Sequence, residues 1–244
     1  MVSRDFQALN AKRALRAHLL SERYAASCEV LSFYAELIQF QGEISARILN
    51  WEGMLQFRLP LIELVRQRGP QRLREAADQL DENSCRKALT GYWKQLDNSS
   101  LTSFFARALL QAYVAANEIQ PVATATNRCP RCGHLPQVGV LQPQGEGNAL
   151  KLACSLCFHE WPFPRGYCVT CGENEDKNLV YYTTREFDHL QVQACETCLG
   201  YLHAIDLTKE PEAVPDVDEL VALPLDIWAQ QQGYHKFQAN LAGI

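Results

Sequence analysis

Several features are missing from this 244-residue sequence, and each absence removes a class of function. No stretch approaches the roughly 18 consecutive apolar residues that a membrane-spanning helix needs, so no membrane insertion is expected. The opening segment MVSRDFQALNAKRALRAHLL threads charges through its apolar positions and offers no small-residue cleavage site. That pattern argues against secretion and for the cytosol. Basic charge is in deficit, with 23 Lys and Arg against 28 Asp and Glu and a formal net charge of −5. Residues 128–203 carry six basic and eight acidic side chains, and from 204 onward there are two against seven. Phosphate-backbone binding rests on a basic stripe, so nucleic acid is not expected as a partner. A glycine-rich phosphate loop, an H-E-x-x-H helix and a nucleophile elbow are likewise lacking, and nothing marks the chain as an enzyme.

What is abundant is apolar content, at 47%, together with ten cysteines. The apolar fraction is ample for a packed core. Residues 1–120 contain no closely paired cysteines and read as a helical domain. SCEVLSFYAELIQFQGEISARIL repeats apolar side chains at Leu31, Ala35, Ile38, Ile44 and Ile48, near the three-to-four spacing of one helix face. LTSFFARALLQAYVAANEI does the same with Phe104, Phe105, Ala108, Leu109, Ala112 and Tyr113. Breaks are expected near Pro60, at Gly69-Pro70 and at LDNSS, where Ser99 or Ser100 would cap the next helix. Four to six helices packed as a bundle is the simplest arrangement. Cys28 and Cys85 read as small buried residues within it.

Beyond Pro121 the sequence turns to short strands punctuated by cysteine pairs. Cys129-Pro-Arg-Cys132-Gly, Cys154-Ser-Leu-Cys157, Cys168-Val-Thr-Cys171-Gly and Cys195-Glu-Thr-Cys198 form four Cys-x2-Cys turns, alternately glycine-tailed and plain. The offset is 39 residues between the first and third turns and 41 between the second and fourth, so one module is present twice in tandem. Two intervening residues let a tight turn aim both sulfurs at one ion, and the glycine relieves a backbone that must turn to positive φ. NALKLAC and HLQVQAC alternate as strands that deliver the second turn of each module.

In a cytosolic setting a disulfide between such near neighbours is disfavoured and would constrain the unfolded chain little. A dithiol redox pair would open a helix in a βαβ unit, whereas strands and turns flank these pairs. Two metal sites of four cysteines each are the expectation. Sequential pairing of the turns follows the repeat, and a crossed arrangement joining 154/157 to 168/171 stays open. Tetrahedral sulfur suits zinc or a single iron equally well. His134, His159, His189 and His203 read as surface or hydrogen-bonded side chains, because four cysteines already complete each shell.

CPRCGHLPQVG, LACSLCFHEWPFPRGYCVTCG and VQACETCLGYLHAID together resemble the FdhE family, the accessory proteins of respiratory formate dehydrogenases. Trp161, Arg165 and Tyr201-Leu202 match that pattern, as does VDELVALPLDIWAQQQGY, in which Asp216 and Glu219 are spaced as a capping box. A residue commonly lysine in the family is His203 here. The resemblance implies a cytoplasmic helper, not itself an enzyme, that binds the catalytic subunit of a molybdenum- or tungsten-dependent formate dehydrogenase and is required for its activity. It also implies rubredoxin-like iron sites, with Cys129, Cys132, Cys154 and Cys157 holding one ion and Cys168, Cys171, Cys195 and Cys198 the other. Zinc is the alternative metal, electron transfer to or from the maturing enzyme is an alternative role, and a nucleic-acid-binding zinc ribbon is the second alternative, which the charge balance disfavours. Trp161 and Arg165 would be partner contacts, with the exposed ribbon faces and the groove against the helices meeting the client. The expected fold class is α+β: an N-terminal all-α bundle (1–120), two tandem rubredoxin-like or zinc-ribbon modules (121–165 and 166–209) and a short helical C-terminal tail (210–244) packing on the body.

Overall fold

In the computed structural model, which describes residues 4–48, 50–96, 101–121 and 125–241, the chain divides into two compact units between Ile119 and Gln120. The first is helical: α1 (Arg4–Arg23), α2 (Cys28–Ser45), α3 (Arg58–Arg68), α4 (Gln71–Asp78), α5 (Glu82–Trp93) and α6 (Leu101–Ala116). Every side chain of α6 from Phe104 to Ala112 is buried, which makes it the central helix, packed against α2, α4 and α5. The face read from the sequence on α2 is buried at Leu31, Ile38 and Ile44, and Ile48 is buried just beyond it.

The breaks fall where the chemistry requires them. Pro60 lies in the first turn of α3, where its missing N–H costs nothing. Gly69 ends that helix and Pro70 stands at the N-cap of α4. Asp81 caps α5 by accepting from the Ser84 backbone N–H at 2.7 Å. The proposed cap at Ser99 or Ser100 lies outside the described residues. Cys85 is buried, and desolvation pushes its thiol up to about 11. Cys28, expected to be buried as well, is exposed at the first position of α2, so the expectation is corrected there.

Polar groups knit the bundle interior. The buried Arg13 guanidinium donates to Asn10 Oδ1 at 2.8 Å and to the Tyr34 hydroxyl at 2.5 Å. Gln41 donates to the Ala108 carbonyl and to Gln111 Oε1, linking α2 to α6. A buried amide or guanidinium must find such partners, so these contacts fix which helix faces meet.

The second unit is built on one sheet. Its strands are β1 (Pro136–Gln144), β2 (Gly147–Cys154), β3 (Glu160–Phe163), β4 (Leu179–Thr183), β5 (Leu190–Cys195), β6 (Gly200–Asp206) and β7 (His235–Lys236). Each module is an antiparallel three-stranded meander, β1-β2-β3 or β4-β5-β6. The modules join edge to edge through a parallel pairing of β1 with β6, giving the order β3-β2-β1-β6-β5-β4. At that seam Gly139 pairs with Ala204, and a Cβ at 139 would lie 3.1 Å from both the Ala204 Cβ and the Leu150 Cδ1. Close approach of the strands selects glycine there.

The boundary read from the sequence at 165/166 separates the two meanders, yet both meanders belong to one compact unit that also includes residues 210–240. Those later residues form α7 (Pro215–Asp218), α8 (Leu223–Gln231) and β7, which pairs in parallel with the start of β6 at Gly200 and Tyr201. The capping box expected at Asp216 and Glu219 does not form. Val214 is the N-cap of α7, and its backbone N–H donates to Asp218 Oδ2 at 2.7 Å. Glu219 lies instead in a buried charge cluster, paired with Lys236.

Candidate metal centres

Each Cys-x2-Cys turn is a short loop fixed by its own backbone. In the glycine-tailed pair, the Cys129 N–H donates to the His134 carbonyl and the Gly133 N–H to the Cys129 carbonyl, and Cys168, Glu173 and Gly172 repeat both bonds. Gly133 and Gly172 each sit at φ 78°, as the glycine tail predicts. The plain turns reach the same left-handed backbone without glycine, at Phe158 (φ 58°) and Leu199 (φ 57°). The turn geometry is therefore imposed on these two residues against their preference. Backbone amides also point at sulfur, from Leu156 to Cys154 Sγ at 3.3 Å and from Thr170 to Cys168 Sγ at 3.4 Å.

The turns meet in sequential order. Cys129, Cys132, Cys154 and Cys157 form one group and Cys168, Cys171, Cys195 and Cys198 the other, with the four sulfurs of each within 4.8 Å of one another. The crossed pairing is not adopted. Separations are 3.4 Å for Cys132–Cys154, 3.5 Å for Cys129–Cys157, 3.7 Å for Cys168–Cys198 and 3.8 Å for Cys171–Cys195. A disulfide needs about 2.05 Å. A metal at about 2.3 Å from each sulfur of a tetrahedron requires edges of about 3.8 Å, so the second group matches that shell and the first is slightly tighter.

Charge makes the same point. Hydrogen bonds from Cys132, Cys154 and Cys157 hold the Cys129 thiol far below its usual range, whereas burial drives the Cys154 thiol well up. Burial likewise pushes Cys198 up to about 12. Sulfurs this close cannot all carry negative charge by themselves, and a dication at their centre is what would let all four ionise. Both groups can therefore hold metal ions, and a complete shell of four sulfurs leaves no position for substrate.

The surroundings place the remaining candidates. Trp161 is 5% exposed, and its indole N–H donates to the Thr126 carbonyl at 2.9 Å. Arg165 is exposed and lines a groove of about 460 Å³ with Leu141, Leu150, Tyr167, Asp176 and Tyr181. His134 is buried with Nδ1 3.2 Å from the Cys132 carbonyl, and His159 is exposed. His189 is buried 3.2 Å from Asp218 Oδ1.

Sequence reasoning missed two constellations. Glu173 accepts from Thr197 Oγ1 at 2.6 Å and Asn178 Nδ2 at 3.0 Å, bracing the two turns of the second module, and the Thr197 hydroxyl leads in holding its carboxyl down to about 2. The other is a buried set, His203, Glu219 and Asp226, whose ligand-type atoms converge like those of a metal site. The Lys236 ammonium fills that set, pairing with Glu219 and lying 3.0 Å from Asp226, and Tyr201 donates to Asp226 at 2.7 Å. Its cation is thus supplied by the chain itself. Burial alone would raise the Glu219 carboxyl, but Lys236, with His203 beside it, holds it down to about 2. The seven-residue interval between Glu219 and Asp226, two helical turns, was the available signal.

Comparison with known proteins agrees with this geometry. The family model described as FdhE, C-terminal domain, matches residues 167–242. A protein named FdhE homolog from Aquifex aeolicus is 27% identical over 263 residues, covering 93% of each chain. The chain is thus similar to an FdhE protein along nearly its whole length. A second FdhE homolog, from Pseudomonas putida, is 32% identical over 157 residues, which are 59% of this chain and 48% of that one. The match thus spans about half the length of that relative. The crystal structure of the FdhE protein from Pseudomonas aeruginosa shares the fold, with a TM-score of 0.70 at 23% identity over 96% of this chain and 95% of that one. The residues that carry the FdhE resemblance in the sequence, the four Cys-x2-Cys turns, are those that build the two sulfur tetrads.

Proposed function

We propose that this chain is a cytoplasmic, non-catalytic accessory factor for a molybdenum- or tungsten-dependent formate dehydrogenase, binding the catalytic subunit and enabling its activity. The observation that carries the reading is the pair of closed sulfur tetrads, in a chain that aligns along nearly its whole length with an FdhE homologue. Cys129, Cys132, Cys154 and Cys157 hold one ion and Cys168, Cys171, Cys195 and Cys198 the other, with iron preferred over zinc. Closed shells suit ions that shape a surface, since neither offers a free coordination position. Arg165 is the proposed client contact because it is exposed at the rim of the groove, and arginine is favoured at binding hot spots. Trp161, the other residue read as a contact, is only 5% exposed, so the reading rests on Arg165.

Affinity capture of the purified protein with a formate dehydrogenase catalytic subunit tests the reading. Stable association and restored activity in a strain lacking its own factor are expected, and Arg165→Ala weakens association about fivefold or more. Absence of association with the subunit under anaerobic, metal-replete conditions overturns the proposal. A second reading, electron transfer, is favoured by one observation: Cys171 is exposed, which brings one sulfur of the second tetrad to solvent. Full activation of the client by protein loaded only with zinc would exclude it, because zinc has no accessible second oxidation state.

A further inference from the structure

The tandem repeat supplies its own control, because each position in one module has a counterpart in the other. In the first module the turn Cys154-Ser155-Leu156-Cys157 lies in the interior, with exposures of 1%, 1%, 0% and 8%. Its counterpart carries Glu196 and Thr197 at the surface, with Cys198 half-buried. Cys132 is half-buried, while its counterpart Cys171 is exposed, as is Gly172 beside it. One tetrad is the more enclosed, with Cys132 half-buried and its other three sulfurs buried, and the other reaches solvent through Cys171.

The open tetrad also has a dependent. The Tyr234 hydroxyl donates to the Glu196 carboxylate, inside the turn between Cys195 and Cys198. The His235 N–H donates to the Leu199 carbonyl at 2.8 Å and the Phe237 N–H to the Tyr201 carbonyl at 2.9 Å. These bonds seat β7 and deliver Lys236 to Glu219 and Asp226. The Tyr182 ring, in contact with Trp228 at 4.6 Å, meets Tyr234 hydroxyl to hydroxyl at 3.1 Å. The 195–199 turn therefore supplies two of the bonds that seat β7, at Glu196 and Leu199, and Tyr201 of β6 supplies another.

Resting on the reading that both tetrads bind ions, we infer that the second tetrad, Cys168/Cys171/Cys195/Cys198, is the exchangeable one and that its ion is the catch that holds the C-terminal strand β7 on the sheet. Loss of that ion frees the turn, the hydrogen bonds at Glu196 and Leu199 go with it, and Lys236 leaves its buried carboxylates. Linkage makes the effect reciprocal: a seated strand retains the ion. The more enclosed first tetrad keeps its ion throughout.

The test loads the full chain with zinc, challenges it with excess EDTA, and follows ion loss by native mass spectrometry alongside amide hydrogen exchange. One ion should leave at least about tenfold faster than the other, the scale on which outer-shell contacts tune metal sites. Exchange at His235 and Phe237 should rise at that faster rate, while the Cys129 and Cys154 amides stay protected. Cys171→Ser should leave only the slowly released ion, which assigns the fast site. Tyr234→Phe and Lys236→Met, neither of which touches a sulfur, should each speed loss of the fast ion alone. Equal release rates, earlier loss from the first tetrad, or a β7 that stays protected after the ion has gone would each overturn the inference while leaving the two-ion reading intact. Failure to bind zinc at all would bring down both.

Discussion

At the scale of single residues, the informative positions are those where the backbone is held against its preference. Leu199 is 44% exposed and sits at φ 57°, a region that costs an L-residue about 1–2 kcal/mol. Its glycine-tailed counterparts, Gly133 and Gly172, avoid that cost. Leu199→Gly forfeits little burial and is expected to stabilise the ion-loaded protein by about 0.5–1 kcal/mol in denaturant unfolding. A destabilised variant would mean that the Leu199 side chain, and not the turn alone, matters to the site. The eight paired cysteines were legible because their spacing is a local property, written within four residues each time. Exposure was not: Cys28 and Cys85 look alike as lone thiols in helical sequence, and only packing buries one and leaves the other on the surface.

Among elements, the helices and the strands that deliver the cysteines could be read from periodicity of 3.6 and 2. What escaped was anything that joins distant segments. Glu219 and Asp216 have the spacing of a capping box, and nothing nearby in the sequence announces that Lys236 will return to neutralise Glu219. That neutralisation has a pH signature. The folded Glu219 carboxyl is depressed to about 2 from 4.5, so its contribution is complete above the unfolded value and is lost as pH falls toward 2. Lys236→Met removes the principal group holding it down. The acid-side loosening of β7 and α8, followed through Trp228 fluorescence, should then move upward by about one pH unit or more. An unchanged acid midpoint would show that His203 alone holds the carboxylate ionised.

For the whole molecule, the two units draw stability from different sources. The helical unit buries a continuous apolar interior around Phe105, Leu109 and Leu37. The second unit converges its four turns on two sulfur tetrads, and in such modules ion-binding energy is folding energy. Exhaustive chelation should expose residues 125–240 to proteolysis while most helical far-UV signal persists. Simultaneous loss of both signals would show that the helices also depend on the ions. The division into a helical half and a cysteine-rich half was legible from composition. The union of the two modules was not, because the β1–β6 pairing joins residues about 65 apart whose side chains carry no mark of it.

That parallel seam has a consequence for how the molecule is made. As the chain emerges from the ribosome, β1 is complete long before β6 exists, so the first meander spends the interval with one flank of backbone donors and acceptors unsatisfied. An open flank of this kind recruits whatever extended peptide is at hand. A polypeptide halted between the two repeats would consequently tend to self-associate, and the second repeat serves its elder sibling as a stopper.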